Sequence, residues 1–137
     1  MKTVFIIDDH IAFRTGFRMM LGMIPGVMVI GEASSSAILI PETTFPAADV
    51  VFLDVHLKNI NSFELTRNLH NLYPWMKIII LSMFSEPDYV TNGKQAGADA
   101  VVLKSVVSDA LGTLLQELFP GEFIFDEKCS QLTGKNT

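Results

Sequence analysis

Hydrophobic positions gather into four short runs that do not alternate, Val4 to Ile7, Val50 to Leu53, Ile78 to Leu81 and Val101 to Leu103, with a fainter fifth at Val27 to Ile30. A strand with one wet face alternates apolar and polar residues. Continuous Val- and Ile-rich runs therefore predict parallel strands covered on both faces. Between the runs, apolar residues recur at helical spacing. Phe13, Phe17, Met20, Leu21 and Ile24 predict a helix from about Ile11 to Ile24, stopped by Pro25-Gly26. Ser35 to about Thr43 has the weakest pattern and reads as a short helix or a loop.

Asn61 or Ser62 can cap a further helix through Leu72, with Phe63, Leu65, Leu69 and Leu72 turned inward and Tyr73-Pro74 breaking it. Ser85 reads as the cap of the next, with Pro87 in its first turn. That helix carries Asn92-Gly93 in its interior, and a mid-helix glycine costs roughly 1 kcal/mol relative to alanine, which predicts a softer element. A last helix follows Ser105 or Ser108 and ends near Phe119, before Pro120-Gly121. Strand and helix alternate throughout, which predicts an α/β, doubly wound, five-stranded parallel sheet with helices on both faces and right-handed crossovers.

The bulk composition narrows this picture. A chain of 137 residues with 49% hydrophobic content has enough apolar surface for one domain. Ten basic against fifteen acidic residues give a net charge of −5, which argues against a broad basic face, so no nucleic acid is expected on this chain itself. Cys129 is the one cysteine and excludes an internal disulfide framework. The apolar start is too short and too acidic at its end for a signal peptide or membrane span, so a soluble, cytoplasmic protein without membrane attachment is expected. Residues 1–120 read as the domain, and the aperiodic polar stretch 121–137 as a tail or the start of a linker to an output domain outside this chain.

Polar residues then fall at one place. In an open α/β sheet the site forms at the carboxyl ends of the strands. Asp8 and Asp9 follow the first run, Asp54 follows Leu53, Ser82 follows Leu81 and Lys104 follows Leu103. Each alone has a plain explanation as a helix cap, a turn residue or a solvated charge. Together they place three carboxylates in one crevice, where they repel unless a cation joins them. Hard oxygen ligands in a half-open site suit Mg2+. A lysine and a hydroxyl facing that cation complete the parts needed for phosphoryl transfer. No GxxxxGK[ST] loop is present, so nothing indicates a nucleotide pocket. A carboxylate supported by the metal can itself attack phosphorus. Asp54 is the candidate acceptor, since it stands alone after its strand while the adjacent pair is better placed to hold the metal.

IIDDH, VVFLDVHL, ILSMF and AGADAVVLKS occur in an order and spacing that resemble the receiver domains of bacterial two-component response regulators over about residues 2 to 119. IIDDHIAFRTGFRMML and AGADAVVLKS look most like the NarL/LuxR-type subfamily, whose members usually continue into a helix-turn-helix DNA-binding domain. The resemblance implies a flavodoxin-like strand order 2-1-3-4-5 and a phosphorylation-controlled signalling domain rather than a turnover enzyme. Asp54 would accept the phosphoryl group from a histidine kinase. Asp9 would bind Mg2+ directly, Asp8 directly or through water, with Asp54 and the His56 backbone carbonyl as further ligands. Lys104 would pair with the phosphoryl oxygens and Ser82 would swing to hydrogen-bond one of them. A phosphorylation-promoted homodimer is a further implied partner. The output face would comprise the helix after Ser85, the last strand and the last helix.

The chain departs from the family pattern at named positions. Val101 stands where the family usually has Tyr or Phe, three residues before the lysine. Lys58, Asn59 and Ser62 replace the usual Pro-Gly pair and later Gly, and Ser105 replaces the frequent proline after the lysine. His56 and Phe84 flank the path by which water would reach an acyl phosphate. His10 reads as a helix-start residue rather than a metal ligand. Two other functions stay open: a receiver-like interaction module not controlled by phosphorylation, and a Mg2+-dependent phosphatase of the haloacid dehalogenase type. The latter uses D-x-D on its first strand, where this chain has adjacent aspartates.

Overall fold

Valine and isoleucine tolerate the pleated, doubly covered environment of a parallel sheet, and the apolar runs form one. The computed structural model describes residues 1–35 and 48–123. In chain order the elements are β1 Lys2–Ile7, α1 Ile11–Gly22, β2 Val27–Ala33, β3 Val50–Asp54, α2 Ser62–Leu72, β4 Lys77–Ser82, α3 Pro87–Ala96, β5 Ala100–Leu103 and α4 Val107–Leu118. The sheet is parallel, with the order β2-β1-β3-β4-β5. Of the short helix or loop expected from Ser35 to Thr43, residues 36–43 lie outside the described residues, as does the tail beyond residue 123.

Successive side chains of a strand point to opposite faces, so each apolar run feeds two cores. Val4, Ile6, Phe52, Ile79 and Leu81 pack with Phe17 and Leu21 of α1 and Leu111 and Leu115 of α4. Phe5, Ile7, Val51, Leu53, Ile78 and Ile80 pack on the other face with Leu69 of α2. Each fully buried aliphatic contributes about 1.5–3 kcal/mol, which makes this two-sided burial the main cohesive term. The strand order reverses between β1 and β3, and the crevice this leaves lies at the carboxyl ends of the strands.

Helix boundaries follow local chemistry. Asn61 caps α2, its side-chain oxygen accepting from the backbone N–H groups of Phe63 at 3.0 Å and Glu64 at 3.1 Å. α3 starts on Pro87, with Glu86 rather than Ser85 at the cap position and no side-chain cap bond. α4 begins at Val107, with Val106 rather than a serine at the cap position. The Val106 N–H donates to Leu103 O at 3.1 Å in a turn that closes β5, and buried Val107 then anchors the first helical position.

Gly93, inside α3, is buried because α3 lies directly on the sheet there. A Cβ at this position would sit 2.6 Å from Val101 Cγ2 and 3.3 Å from Ile80 Cδ1. The glycine predicted to soften the helix is also what lets it approach β5. After α4 the chain folds back against the start of β1. Lys2 Nζ lies 2.8 Å from Glu122 Oε2 and 4.6 Å from the centre of the Phe119 ring, and Phe123 is 7% exposed within the α1/α4 core.

Candidate functional site

The register of the central strands brings their last residues to one level. Val55 N donates to Leu81 O at 2.8 Å and Lys104 N to Ser82 O at 2.7 Å, which extends the ladder past the strand ends. Asp8 leaves β1 and Asp54 closes β3, both 1% exposed or less. Between them lies the Lys104 ammonium, its side chain 7% exposed, 2.8 Å from Asp8 Oδ2 and 3.4 Å from Asp54 Oδ2. It also sits 4.5 Å from the centre of the Phe13 ring, so α1 supplies an aromatic wall for the charge.

Each carboxylate has one tethered and one available oxygen. Asp8 Oδ1 accepts from His10 N at 2.8 Å, and Asp54 Oδ1 accepts from His56 N at 3.0 Å. The Oδ2 atoms of both are buried and, apart from the Lys104 ammonium, have no donor. Burial pushes the Asp8 carboxyl above its ordinary pKa, and the neighbouring Asp54 charge adds to this against the pull of Lys104 and the His10 N–H. Below the ordinary carboxylate value Asp8 contributes its full stability, and that contribution is lost as pH rises through the raised folded value. Asp8→Asn is therefore expected to stabilise the fold relative to the native chain by more near pH 7 than near pH 4.5, as read by urea unfolding. A gain that is equal at both pH values, or larger in acid, contradicts the raised Asp8 pKa.

Asp9 is placed differently. Its Oδ1 accepts from Ser35 N at 2.6 Å and its Oδ2 from Lys58 N at 2.8 Å. Burial works to raise its pKa, but the amides of Ser35 and Lys58 and the Ser35 hydroxyl outweigh that and hold it below the ordinary value. In this structure Asp9 ties the end of β2 to the loop after β3 instead of facing Asp54. Ser82 Oγ donates to Phe84 O at 2.7 Å and accepts from Phe84 N at 3.1 Å, so its hydroxyl is also turned from the acid pair.

Two residues read from the sequence as helix-start residues approach the acid pair. His10 occupies the cap position of α1 without a side-chain cap bond. Its Nδ1 lies instead 3.5 Å from Lys104 Nζ, 3.8 Å from Asp8 Oδ1 and 3.9 Å from Asp54 Oδ2. Asp8, His10 and Asp54 offer ligand atoms within 4.8 Å of one another. A cap position specifies the backbone and leaves the ring direction open, so the sequence carried no signal for this. Ser62, read as a cap or a loop departure, donates from Oγ to Asp54 O at 2.7 Å and Val55 O at 2.9 Å, bracing the backbone of the candidate acceptor. An apolar cavity of about 480 Å³, lined by Ile11, Phe13 and Met83, opens beside Lys104. No helix among the described residues is long and apolar enough to cross a membrane.

Comparison with known proteins bears on the family and the fold. The family described as the response regulator receiver domain matches residues 4–116. The transcriptional regulatory protein DegU of Brevibacillus brevis is 36% identical over 110 residues, covering 79% of this chain and 46% of that protein. The nitrate/nitrite response regulator protein NarL of Escherichia coli K12 is 29% identical over 127 residues, 91% of this chain and 58% of that one. The chain thus spans about half the length of these relatives. A LuxR-family two-component response regulator from Aurantimonas sp. SI85-9A1 superposes with a TM-score of 0.73 at 25% identity, covering 97% of this chain and 95% of its own. The sheet order, the family match and these relatives agree: the chain belongs to the receiver domains of two-component response regulators, of the NarL/LuxR type.

Proposed function

We propose that Asp54 is the phosphoryl acceptor of a signalling domain that takes its phosphoryl group from a histidine kinase. The observation that carries this is the Asp54 carboxylate itself, with Oδ1 held by the His56 amide and Oδ2 buried, facing Lys104 and otherwise without a donor. In the transfer, Asp54 Oδ2 attacks phosphorus, an O–P bond forms, and the P–N bond of the phosphohistidine breaks. Its electron pair stays with the imidazole, which then takes a proton from solvent. Lys104 neutralises charge on the phosphoryl oxygens, and Ser82, once it leaves Phe84, donates to one of them.

The donor set fits a divalent hard cation, since buried carboxylate oxygens without other donors are the groups such an ion takes. Asp8, Asp54 and the His56 carbonyl would hold Mg2+, joined by Asp9 once it releases the Ser35 and Lys58 amides. When bound, the ion screens the negative charge that otherwise opposes attack of a carboxylate on a phosphoryl group. The family is a signalling domain rather than a turnover enzyme, which leaves the phosphatase reading without support. In the whole protein, which we place in the cytoplasm, phosphorylation would promote dimerisation and control transcription through a DNA-binding domain.

Incubation with Mg2+ and acetyl phosphate, followed by intact mass, tests the acceptor. One phosphoryl increment is expected on the native chain and none on Asp54→Asn. An increment that survives the substitution assigns the chemistry elsewhere, and none on either chain leaves the interaction module as the function. The rings of His56 and Phe84, two residues past Asp54 and Ser82, meet edge to face with centroids 5.6 Å apart. His56→Ala and Phe84→Ala are each expected to shorten the phosphate lifetime severalfold, since either opens the path for water. Unchanged lifetimes in both would show that these rings only line a loop.

A further inference from the structure

Val101, partly buried on β5, lies against α3 at Gly93. The Cβ that Gly93 lacks would meet Val101 Cγ2 at 2.6 Å, so helix and strand are in direct contact at this position. Another set of rings is continuous with the site. Ser82 Oγ spends both its donor and its acceptor capacity on the backbone of Phe84, at 2.7 and 3.1 Å. Any movement of that hydroxyl toward Asp54 therefore frees the Phe84 N–H and C=O together, and an amide pair losing its partners re-orients to find others. The Phe84 ring meets His56 edge to face, with centroids 5.6 Å apart at 76°. His56 in turn meets Tyr89 of α3 at 5.6 Å and 73°. Tyr89 lies 6.1 Å from Phe63 of α2. Edge-to-face pairs have directional preference, so a shift in one ring is felt by the next.

The receiving element is loosely held where Tyr89 sits. The cap residue Glu86 makes no side-chain bond to the first turn of α3, and Tyr89 N donates to Glu86 O at 3.0 Å in that turn. Uncapped first turns belong to the low-stability end of a fold, from which moving elements are drawn.

We propose that in this chain the state of Asp54 is carried to α3 through Ser82 and the ring arc Phe84, His56 and Tyr89, instead of through a side chain at position 101. The relay rests on the reading of Asp54 as acceptor. A charge added at Asp54 draws the Ser82 hydroxyl, Phe84 loses both backbone bonds, and the arc shifts the first turn of α3, which is a local electrostatic change read by a bistable element.

The chain has two tyrosines, Tyr73 and Tyr89, so fluorotyrosine labelling gives fluorine NMR two protein signals, one on the arc and one remote from it. Beryllofluoride with Mg2+, a phosphoryl mimic, adds its own bound fluorine signals and so reports occupancy in the same spectrum. At full occupancy the Tyr89 signal is expected to move and the Tyr73 signal to stay. Phe84→Leu is expected to lose the Tyr89 shift at full occupancy, whereas Val101→Ala keeps it. Bound beryllofluoride with an unmoved Tyr89, a shift that persists in Phe84→Leu, or one that vanishes in Val101→Ala each overturns the relay alone. Bound beryllofluoride signals that are absent, or that survive Asp54→Asn, overturn the acceptor reading and the relay with it.

Discussion

Replacing Lys104 with methionine is expected to cost about 3–5 kcal/mol of stability near neutral pH, because it leaves two buried carboxylates facing each other without a counter-charge. The ammonium is 2.8 Å from Asp8 and 3.4 Å from Asp54, and neither acid is more than 1% exposed. The methionine keeps most of the stem against Phe13, so the loss reports charge rather than packing. Burial already pushes the Asp8 carboxyl up, and removing the lysine pushes it further. The Asp8 carboxyl of the variant then takes up a proton at a higher pH than in the native chain, and the penalty shrinks as pH falls through that value. Urea unfolding of both chains near pH 7 and pH 5 checks the size and the sign. A variant within about 0.5 kcal/mol of the native chain near neutral pH would show that the pair is neutral or hydrated without Lys104. The same substitution is expected to abolish the phosphoryl increment from acetyl phosphate, since no other ammonium faces the acceptor among the described residues.

Truncating Phe123 to alanine is expected to cost about 3 kcal/mol, at the low end for a buried phenylalanine because the residue closes the end of the core instead of filling its centre. Phe123 is 7% exposed, its ring lies 6.2 Å from that of Phe119, and its edge approaches within 3.5 Å of where a Cβ on Gly26 would stand. Glu122 beside it pairs with Lys2 at 2.8 Å, an exposed contact worth little by itself. A chain ending at Pro120 should show the same deficit as Phe123→Ala, to within about 1 kcal/mol, if ring burial accounts for it. Equal stability of the 1–120 and 1–123 chains would remove Phe123 from the folding unit.

Phe123 also shows where pattern reading runs out. The stretch from Gly121 reads as mostly polar and aperiodic, and the short run Phe123-Ile124-Phe125 in it carries no helical period, so the pattern ends the domain at residue 120. Burial of the Phe123 ring depends on the position of β1 and Gly26, which are remote in sequence. The caps of α3 and α4 fall at Glu86 and Val106 instead of at serines. Serine is a good cap in isolation, but a turn closing β5 and a buried Val107 decided the register of α4. Of the two caps the sequence offers for α2, Asn61 and Ser62, the structure uses Asn61, whose capping bonds are local.

At the site, position along the strands was legible and side-chain direction was not. Asp8, Asp54, Ser82 and Lys104 were assigned to one sheet edge because each follows an apolar run, and parallel strands end on the same side. That Lys104 sits between Asp8 and Asp54, that Asp9 holds two loop amides, that Ser82 is locked onto Phe84 and that the His10 ring faces the acid pair depend on rotamers set by neighbours from other elements.

The sequence by itself determined the alternation of strand and helix, the two-sided burial of the sheet and the level at which the charged residues emerge, because these follow from local hydrophobic period and chain direction. Only the tertiary structure decided which oxygen of Asp54 faces the lysine, how closely α3 approaches Val101 and which rings adjoin Ser82. Those are contacts between segments far apart in the chain, and their geometry is set by packing that no local pattern records.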